Sequence, residues 1–269
     1  MSSLHRGIVL VGGLLVFWAI EGIMPLFIVR YKKIKHAVPN VFFTLTTILV
    51  NLPLAFLYLK TSNWVVSNHF GILNWLPEMP LWLYVFLGVF LIDFIGAYLP
   101  HLIEHKINLL WRVHLVHHTD HNVDVTTANR HHPLESVIRY LFTLLGVFII
   151  GTPMALVLLY QSLSVVATQF NHANIKLPKK LDKVLSYVVV SPDMHKVHHH
   201  YRLPYTDSNY GNIFSVWDRL FGTFKSLDTS QIIYGLDVFP DEKENNSIKK
   251  LLVQPFRKYK NKTITPDTY

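Results

Sequence analysis

Long apolar runs with few charged residues dominate the first two thirds of the chain. Three of them approach or exceed the roughly 20 residues that a helix needs to cross a bilayer. They occupy residues 7–29, 41–59 and 80–99. Two shorter runs, 137–150 and 153–170, are separated by Gly151-Thr152-Pro153, a sequence typical of a turn. The pattern predicts an all-α, multi-pass membrane helical bundle whose last two apolar helices form a hairpin.

The charge distribution also favours a membrane protein. Only 16% of the residues are charged and 51% are hydrophobic, whereas soluble domains carry about a quarter charged residues. The net charge is +8, and Lys and Arg cluster beside apolar runs, as at residues 30–35. Such clusters are typical of cytoplasmic loops. We expect no nucleic-acid binding, because no aromatic–basic motif accompanies the positive charge.

We divide the chain into three parts. Residues 1–79 hold the first two apolar helices and a loop, and residues 80–236 hold the histidine-rich catalytic part. Residues 237–269 are polar and Lys-rich, and we expect a basic, partly disordered tail there. Tracing the predicted helices from a cytoplasmic loop at 30–35 places the clustered histidines on the cytoplasmic side, in a helical cap on the bundle.

The histidines are concentrated in one part of the chain. Thirteen of the sixteen lie between residues 101 and 200, and eight of these form three clusters. The clusters are His101 and His105; His114, His117 and His118; and His195, His198 and His199. Residues three or four apart share a helix face, so each cluster presents its imidazoles together. Because one zinc ion takes three or four protein ligands, eight imidazoles indicate two ions.

The type of metal is left open by the spacing. Imidazole suits iron, zinc and copper alike, and the absence of cysteine excludes thiolate sites. His131 or His132, at a predicted helix start, and His172, after the hairpin, are each open as ligands or as structural residues. The isolated His36 is expected to be structural. Three carboxylates are either acceptors that orient imidazole N–H groups or ordinary solvated acids: Glu104, Asp193 and Asp207.

These clusters resemble the histidine boxes of the fatty acid hydroxylase/sterol desaturase superfamily, which read HxxxH, HxxHH and a late HxxHH. Other segments are similar to signatures of that superfamily, and its bacterial members share the arrangement from Trp111 to His118. The further segments are Arg130-His131-His132-Pro133-Leu134-Glu135, Phe170-Asn171-His172 and Trp217-Asp218-Arg219. Leu102 departs from the pattern, because many members have Arg there. The resemblance covers about residues 80–225.

The resemblance implies a di-iron centre with ten ligands, namely the eight clustered histidines together with His132 and His172. His132 is preferred to His131 because it directly precedes Pro133. Dioxygen would be the co-substrate. Electrons would come from an NAD(P)H-linked donor through a separate electron-transfer protein, because the chain has no nucleotide-binding glycine fingerprint.

The expected reaction is hydroxylation of an unactivated C–H bond in a lipid substrate, which is an acyl chain, an ether lipid or a sterol. Desaturation by the same site is the alternative. We expect an integral membrane protein of the bacterial inner membrane rather than of the endoplasmic reticulum.

Two functions from other classes also accommodate clustered histidines. A metal transporter places polar ligands inside its spans, whereas the acids within the three long apolar runs are Glu21 and Asp93. A zinc-dependent lipid hydrolase needs three protein ligands and no electron donor. The number of clustered imidazoles favours the oxygenase over both.

Overall fold

The computed structural model describes residues 3–259, with side chains from Gly7 onward, and this part of the chain is built from helices. In chain order they are α1 Ser3–Ile23, α2 Lys33–Ser67, α3 Ile72–Trp75, α4 Leu81–Asp93, α5 Leu99–Lys106, α6 Asn108–His118, α7 Pro133–Ile150, α8 Met154–His172, α9 Lys179–Leu185, α10 Pro192–His198, α11 Val216–Leu220, α12 Glu242–Asn245 and α13 Ile248–Val253. The described residues form no strand, so the predicted all-α class is confirmed.

Within residues 3–259, four helical stretches are long and apolar enough to cross a membrane. They are Lys33–Trp75, Leu81–Lys106, Pro133–Ile150 and Met154–His172. Their positions agree with four of the five predicted apolar runs. The hairpin between α7 and α8 turns at Gly151, whose φ of 80° lies in the left-handed region that suits glycine.

The first helix is shorter than the sequence indicated. We predicted a span over 7–29, but α1 ends at Ile23. Pro25 follows at once, and a proline ring restricts the preceding residue to extended conformations. The chain then runs extended beside the segment after α8, where the Leu26 amide donates to the Asn174 carbonyl over 3.1 Å. The apolar part of α1 is therefore shorter than the four candidate spans.

The second candidate span, Leu81–Lys106, carries the first two clustered histidines. A π-helical turn over Phe94–Tyr98 joins α4 to α5, so that one continuous helix runs over Leu81–Lys106. Such turns are frequent at functional sites. Asp93, at the end of α4, accepts hydrogen bonds from the Ile213 and Phe214 amides. These bonds tie the helix to the loop before α11.

Three helix termini meet at the same end of the bundle. α5 and α8 end there, α7 begins there after His132, and α6 packs across α5. The short helix α10 joins them from a later part of the chain. Its N-terminus is capped by Ser191, whose hydroxyl accepts from the Met194 amide. The sequence clusters are thereby brought from distant positions to one region.

The C-terminal segment corrects one expectation. We expected a partly disordered tail from residue 237, but α13 and the following turn Gln254–Phe256 are folded against α6. Leu251 is fully buried in a cluster with Phe43, Leu115 and Val116. The Arg112 guanidinium donates to the Pro255 carbonyl over 2.7 Å. Apolar contacts thus hold residues 237–259 in place, and the rest of the predicted tail, 260–269, lies outside the described residues.

Candidate metal centre

Nine buried imidazoles form two adjoining groups at the end of the bundle. The five-histidine group consists of His101, His105, His114, His118 and His198. The four-histidine group consists of His117, His172, His195 and His199. Within each group one ring nitrogen per residue lies within 4.8 Å of all the others. Each group therefore has the size of a site for one ion.

Helix geometry explains how the clusters divide between the groups. His114 and His118 are four residues apart and point to the same group, while His117, about 100° away from His118 around the helix, points to the other. His195 and His199 form the matching pair in the four-histidine group. We expected each triplet to act as one patch. Adjacent histidines on a helix cannot share a direction, so each triplet contributes to both groups.

The spacing of the ring nitrogens fits a bound cation. The Nε2 atom of His172 lies 3.1, 3.0 and 3.2 Å from the Nε2 atoms of His117, His195 and His199. Two nitrogens at about 2.0–2.1 Å from one ion are roughly 2.9–3.4 Å apart. The Nδ1 atom of His172 lies 2.8 Å from the Thr168 carbonyl, so the ring proton belongs on Nδ1. The Nε2 atom is then an unprotonated acceptor facing three other nitrogens.

The five-histidine group contains nitrogens without partners. The Nε2 atoms of His101, His105 and His198 are buried and have no hydrogen-bond partner among the described residues. The Nδ1 atoms of His101 and His198 donate to the carbonyls of Tyr210 and Ser208, over 2.9 and 2.6 Å. These bonds fix the tautomer and aim Nε2 inward, which is how metal-binding histidines are oriented. The unpartnered nitrogens therefore fit a metal ion.

Burial keeps the imidazoles neutral. It lowers the pKa of His198 to about 3, with a further contribution from His114. Burial also lowers the pKa of His114 to about 4, although the nearby Glu135 carboxylate acts in the opposite direction. The same cause holds the pKa of His117 and His199 well below the usual range. Neutral imidazoles offer the lone pairs that metal binding requires.

A carboxylate that sequence reasoning did not select supports the centre. Glu135, on α7, accepts from Nδ1 of His114 over 2.8 Å and from Nδ1 of His131 over 2.7 Å. Arg139 bridges Glu135 and the predicted acceptor Glu104, at 2.9 and 2.7 Å. Arg139 is held by two buried acids, which offer its charge a better environment than the apolar surroundings.

The other predicted site residues are placed differently. Asp207 lies 3.9 Å from Nδ1 of His105, a distance too long for a direct hydrogen bond, and it pairs with Lys106. No hydrogen bond joins Asp193 to an imidazole among the described residues, and its amide donates to Asp182.

His132 lies outside both groups. Its Nδ1 atom caps α7 by accepting from the Leu134 amide, and its Nε2 atom lies 3.2 Å from the Leu252 carbonyl. His131 is closer to the centre, because its ring stacks on His117 at 4.7 Å. Both nitrogens of His131 nevertheless have partners, Glu135 and the Ala128 carbonyl.

His36, which we expected to be structural, belongs to a buried polar network beside the centre. Its Nε2 atom lies 2.8 Å from Asp120, two residues after His118. Burial opposes ionisation of Asp120, but the charges of His36 and Arg130 lower the pKa of Asp120 below its usual range. The sequence offers little indication of this network, because His36 lies far from the histidine boxes and does not fit their spacing.

A cavity of about 490 Å³ connects the candidate spans with the metal centre. Its wall includes His101 from the five-histidine group and three members of the other group, His117, His172 and His195. The rest of the wall comes largely from α1, α2, α7 and α8. A molecule in this cavity can reach both groups from the membrane-spanning part of the structure.

Comparison with known proteins identifies relatives that act on lipids. The alkylglycerol monooxygenase of Danio rerio is 35% identical over 174 residues, which cover 62% of this chain and 35% of the relative. The ornithine lipid hydroxylase of Rhizobium tropici is 27% identical over 56% of this chain and 44% of the relative. Methylsterol monooxygenase 2-2 of Arabidopsis thaliana is 29% identical over 82% of this chain and 83% of the relative.

The chain spans about a third of the length of the alkylglycerol monooxygenase. No solved structure matches. The match to the family described as fatty acid hydroxylase runs over residues 85–223. This segment is more than half of the chain and contains all nine grouped histidines, and it confirms the resemblance seen in the boxes. The chain belongs to the fatty acid hydroxylase family.

Proposed function

We propose that this protein is a membrane-bound di-iron oxygenase that hydroxylates a C–H bond of a lipid with dioxygen. The observation that carries the proposal is the pair of adjoining imidazole groups, open to one cavity between the candidate spans. Breaking an unactivated C–H bond exceeds what acid–base or nucleophilic side chains can do. Two irons, when bound, supply the oxidising chemistry, and the protein supplies binding and orientation.

The residues of the chain have distinct tasks in this proposal. The five-histidine and four-histidine groups would each hold one iron, and the nine neutral imidazoles add no negative charge. The carbonyls of Tyr210, Ser208 and Thr168 and the carboxylate of Glu135 orient the rings. Overall, one dioxygen, two electrons and two protons convert the C–H bond into C–OH and release one water.

The substrate in this proposal is a lipid that enters the cavity from the bilayer. The relatives are named for alkylglycerol, ornithine lipid and methylsterol, which supports a lipid or sterol substrate. Their names describe monooxygenases and hydroxylases, and this favours hydroxylation over desaturation. Electrons would come from a separate NAD(P)H-linked carrier. We further propose that the centre faces the cytoplasm, in a bacterial inner membrane, because the basic segment 30–35 adjoins the start of α2.

The rival functions receive less support. The Asp93 carboxylate is bonded to the Ile213 and Phe214 amides. That of Glu21 accepts from the Val125 and Asn174 amides. Neither acid is therefore free to conduct a metal ion through the spans. A zinc hydrolase needs three protein ligands, so most of the nine imidazoles would have no function in it.

The direct test of the reaction uses ¹⁸O₂ and the purified, reduced protein in detergent with an alkylglycerol. We expect one ¹⁸O atom in each hydroxylated product. His117→Ala should abolish turnover because it removes a nitrogen from the four-histidine group, whereas His69→Ala, at an exposed and distant histidine, should retain it. Product formation under strict anaerobiosis, or product without ¹⁸O, would contradict the oxygenase.

A further inference from the structure

Two carboxamide oxygens in the cavity wall have no hydrogen-bond partner. Asn51 on α2 and Gln161 on α8 both line the cavity. The Oδ1 atom of Asn51 and the Oε1 atom of Gln161 are buried, and neither finds a donor among the described residues. Both residues lie within candidate membrane spans, where an unsatisfied polar group is strongly destabilising. These two oxygens therefore require a donor from a molecule in the cavity.

Three other polar side chains of the wall already have partners. The Thr44 hydroxyl donates to the Asn40 carbonyl over 2.9 Å, and the Thr143 hydroxyl donates to the Arg139 carbonyl over 3.0 Å. The Arg139 guanidinium is held by two carboxylates. Hydroxyls within helices are usually accommodated as in Thr44 and Thr143, by donating to the carbonyl four residues earlier. The carboxamides of Asn51 and Gln161 differ because they keep free acceptors.

The position of these carboxamides separates them from the metal centre. Gln161 precedes His172 by eleven residues on α8, which corresponds to about 16 Å along the helix axis at 1.5 Å per residue. The free acceptors therefore lie toward the opposite end of the bundle. They cannot serve as orienting groups for the imidazoles.

We propose that Asn51 and Gln161 form a polar subsite that selects lipids carrying a hydroxyl or amide N–H group. This proposal rests on the proposed function, which makes a lipid the substrate. It restricts the substrate further, to a lipid that carries a hydrogen-bond donor. A hydroxyl fits either orientation of a carboxamide, because it both donates and accepts. A plain hydrocarbon chain would leave both oxygens unpaired.

Binding of two matched probes tests the subsite. The probes are hexadecane-1,2-diol and 1,2-dimethoxyhexadecane, which share a chain but differ in donor hydrogens. Their dissociation constants are measured by competition against a fluorescent fatty acid on the full-length protein in detergent. We expect about tenfold tighter binding of the diol, because its hydroxyls can donate to both carboxamide oxygens and the dimethoxy probe cannot. Equal affinities would overturn the proposal and would indicate that water satisfies the two oxygens.

Two substitutions keep the shape of the wall and remove the acceptors. Asn51→Leu with Gln161→Met should reduce the preference for the diol to about twofold or less. Thr44→Val is the matched control, because the hydroxyl it removes is already bonded to Asn40, and it should retain the wild-type preference. A preference that survives the double substitution would overturn the proposal.

Thermal stability without probe shows whether the carboxamides have a structural task instead. Removing unpaired buried acceptors should leave the Tm of the double variant unchanged or raise it. A large fall in Tm would show that internal partners hold both side chains, and would also overturn the subsite. Binding of the probes is measured independently of iron and turnover. Failure of the oxygenase assay can therefore be distinguished from failure of the subsite proposal.

Discussion

Single side chains around the imidazoles decide whether each ring presents a lone pair. Glu135 accepts from Nδ1 of His114 and is held in place by Arg139. The carboxylate therefore fixes the proton on Nδ1 and leaves Nε2 free for a metal. Carboxylates of this kind typically strengthen metal affinity 10–100-fold.

Replacing this carboxylate should weaken metal binding. We expect Glu135→Gln to lower the metal affinity of the five-histidine group by about 10–100-fold, because Gln offers a neutral and weaker acceptor. Metal content after dialysis against a graded chelator gives the measurement. Asp193→Asn is the control, since no hydrogen bond joins Asp193 to an imidazole in the described part of the chain. Equal losses in both variants would contradict the role of Glu135.

His132 provides a second test at this scale. It lies outside both groups and caps α7 through Nδ1, and an Asn at this position can make the same cap. We expect His132→Asn to retain two metals per chain. His172→Asn should lose metal, since the Nε2 atom of His172 has three ring nitrogens around it. Loss of a metal from the His132 variant would restore that residue to the ligand set.

At the scale of elements, the length of the apolar runs predicted the long apolar helices well. The runs at 41–59, 80–99, 137–150 and 153–170 all proved to be helical, because a bilayer-length apolar run has few other ways to satisfy its backbone. The end of α1 was missed because Pro25 ends the helix, although the residues that follow it are apolar. The division of the histidine triplets also needed the structure, since sequence spacing gives neighbours on a helix but not the partner that each one faces.

The C-terminal helices show the limit of composition as a guide. A polar, Lys-rich sequence predicted a tail, yet a few apolar side chains hold α13 against α6. Leu251 is fully buried while the neighbouring Val253 is 49% exposed. Only tertiary contacts distinguish these two positions, and no local sequence pattern predicts those contacts.

This contrast yields a stability prediction. Leu251→Ala should destabilise the protein by about 2–5 kcal/mol, because it empties a buried apolar site. Val253→Ala, the exposed control, should change the stability by less than about 0.5 kcal/mol. The Tm in detergent and protease resistance of the segment 237–259 give the measurement. Similar behaviour of both variants would contradict the packing of α13 on α6.

At the scale of the whole molecule, the metal centre joins elements that are far apart in sequence. The five-histidine group takes its imidazoles from α5, α6 and α10, and the four-histidine group takes them from α6, α8, α10 and the residue after α10. Ions in both groups would cross-link these helices at one end of the bundle. Ligands that bind only the folded state stabilise it by mass action.

Metal removal should therefore destabilise the entire fold. We expect the metal-loaded protein to melt at a higher temperature than protein stripped with chelator at the same pH. Adding back ferrous iron under anaerobic conditions should restore the Tm. A Tm that is independent of metal would contradict the cross-linking of α5, α6, α8 and α10. Chelator added to protein that has already been stripped of metal controls for effects of the chelator on the detergent.

The most direct measurement of the central claim is iron content together with Mössbauer spectroscopy on anaerobically purified, iron-loaded protein. The two imidazole groups predict two irons per chain, in two nitrogen-rich environments that differ because one group offers five histidines and the other four. Two quadrupole doublets of equal area would be the expected spectrum after reduction. One iron per chain in a single mononuclear site would contradict the account.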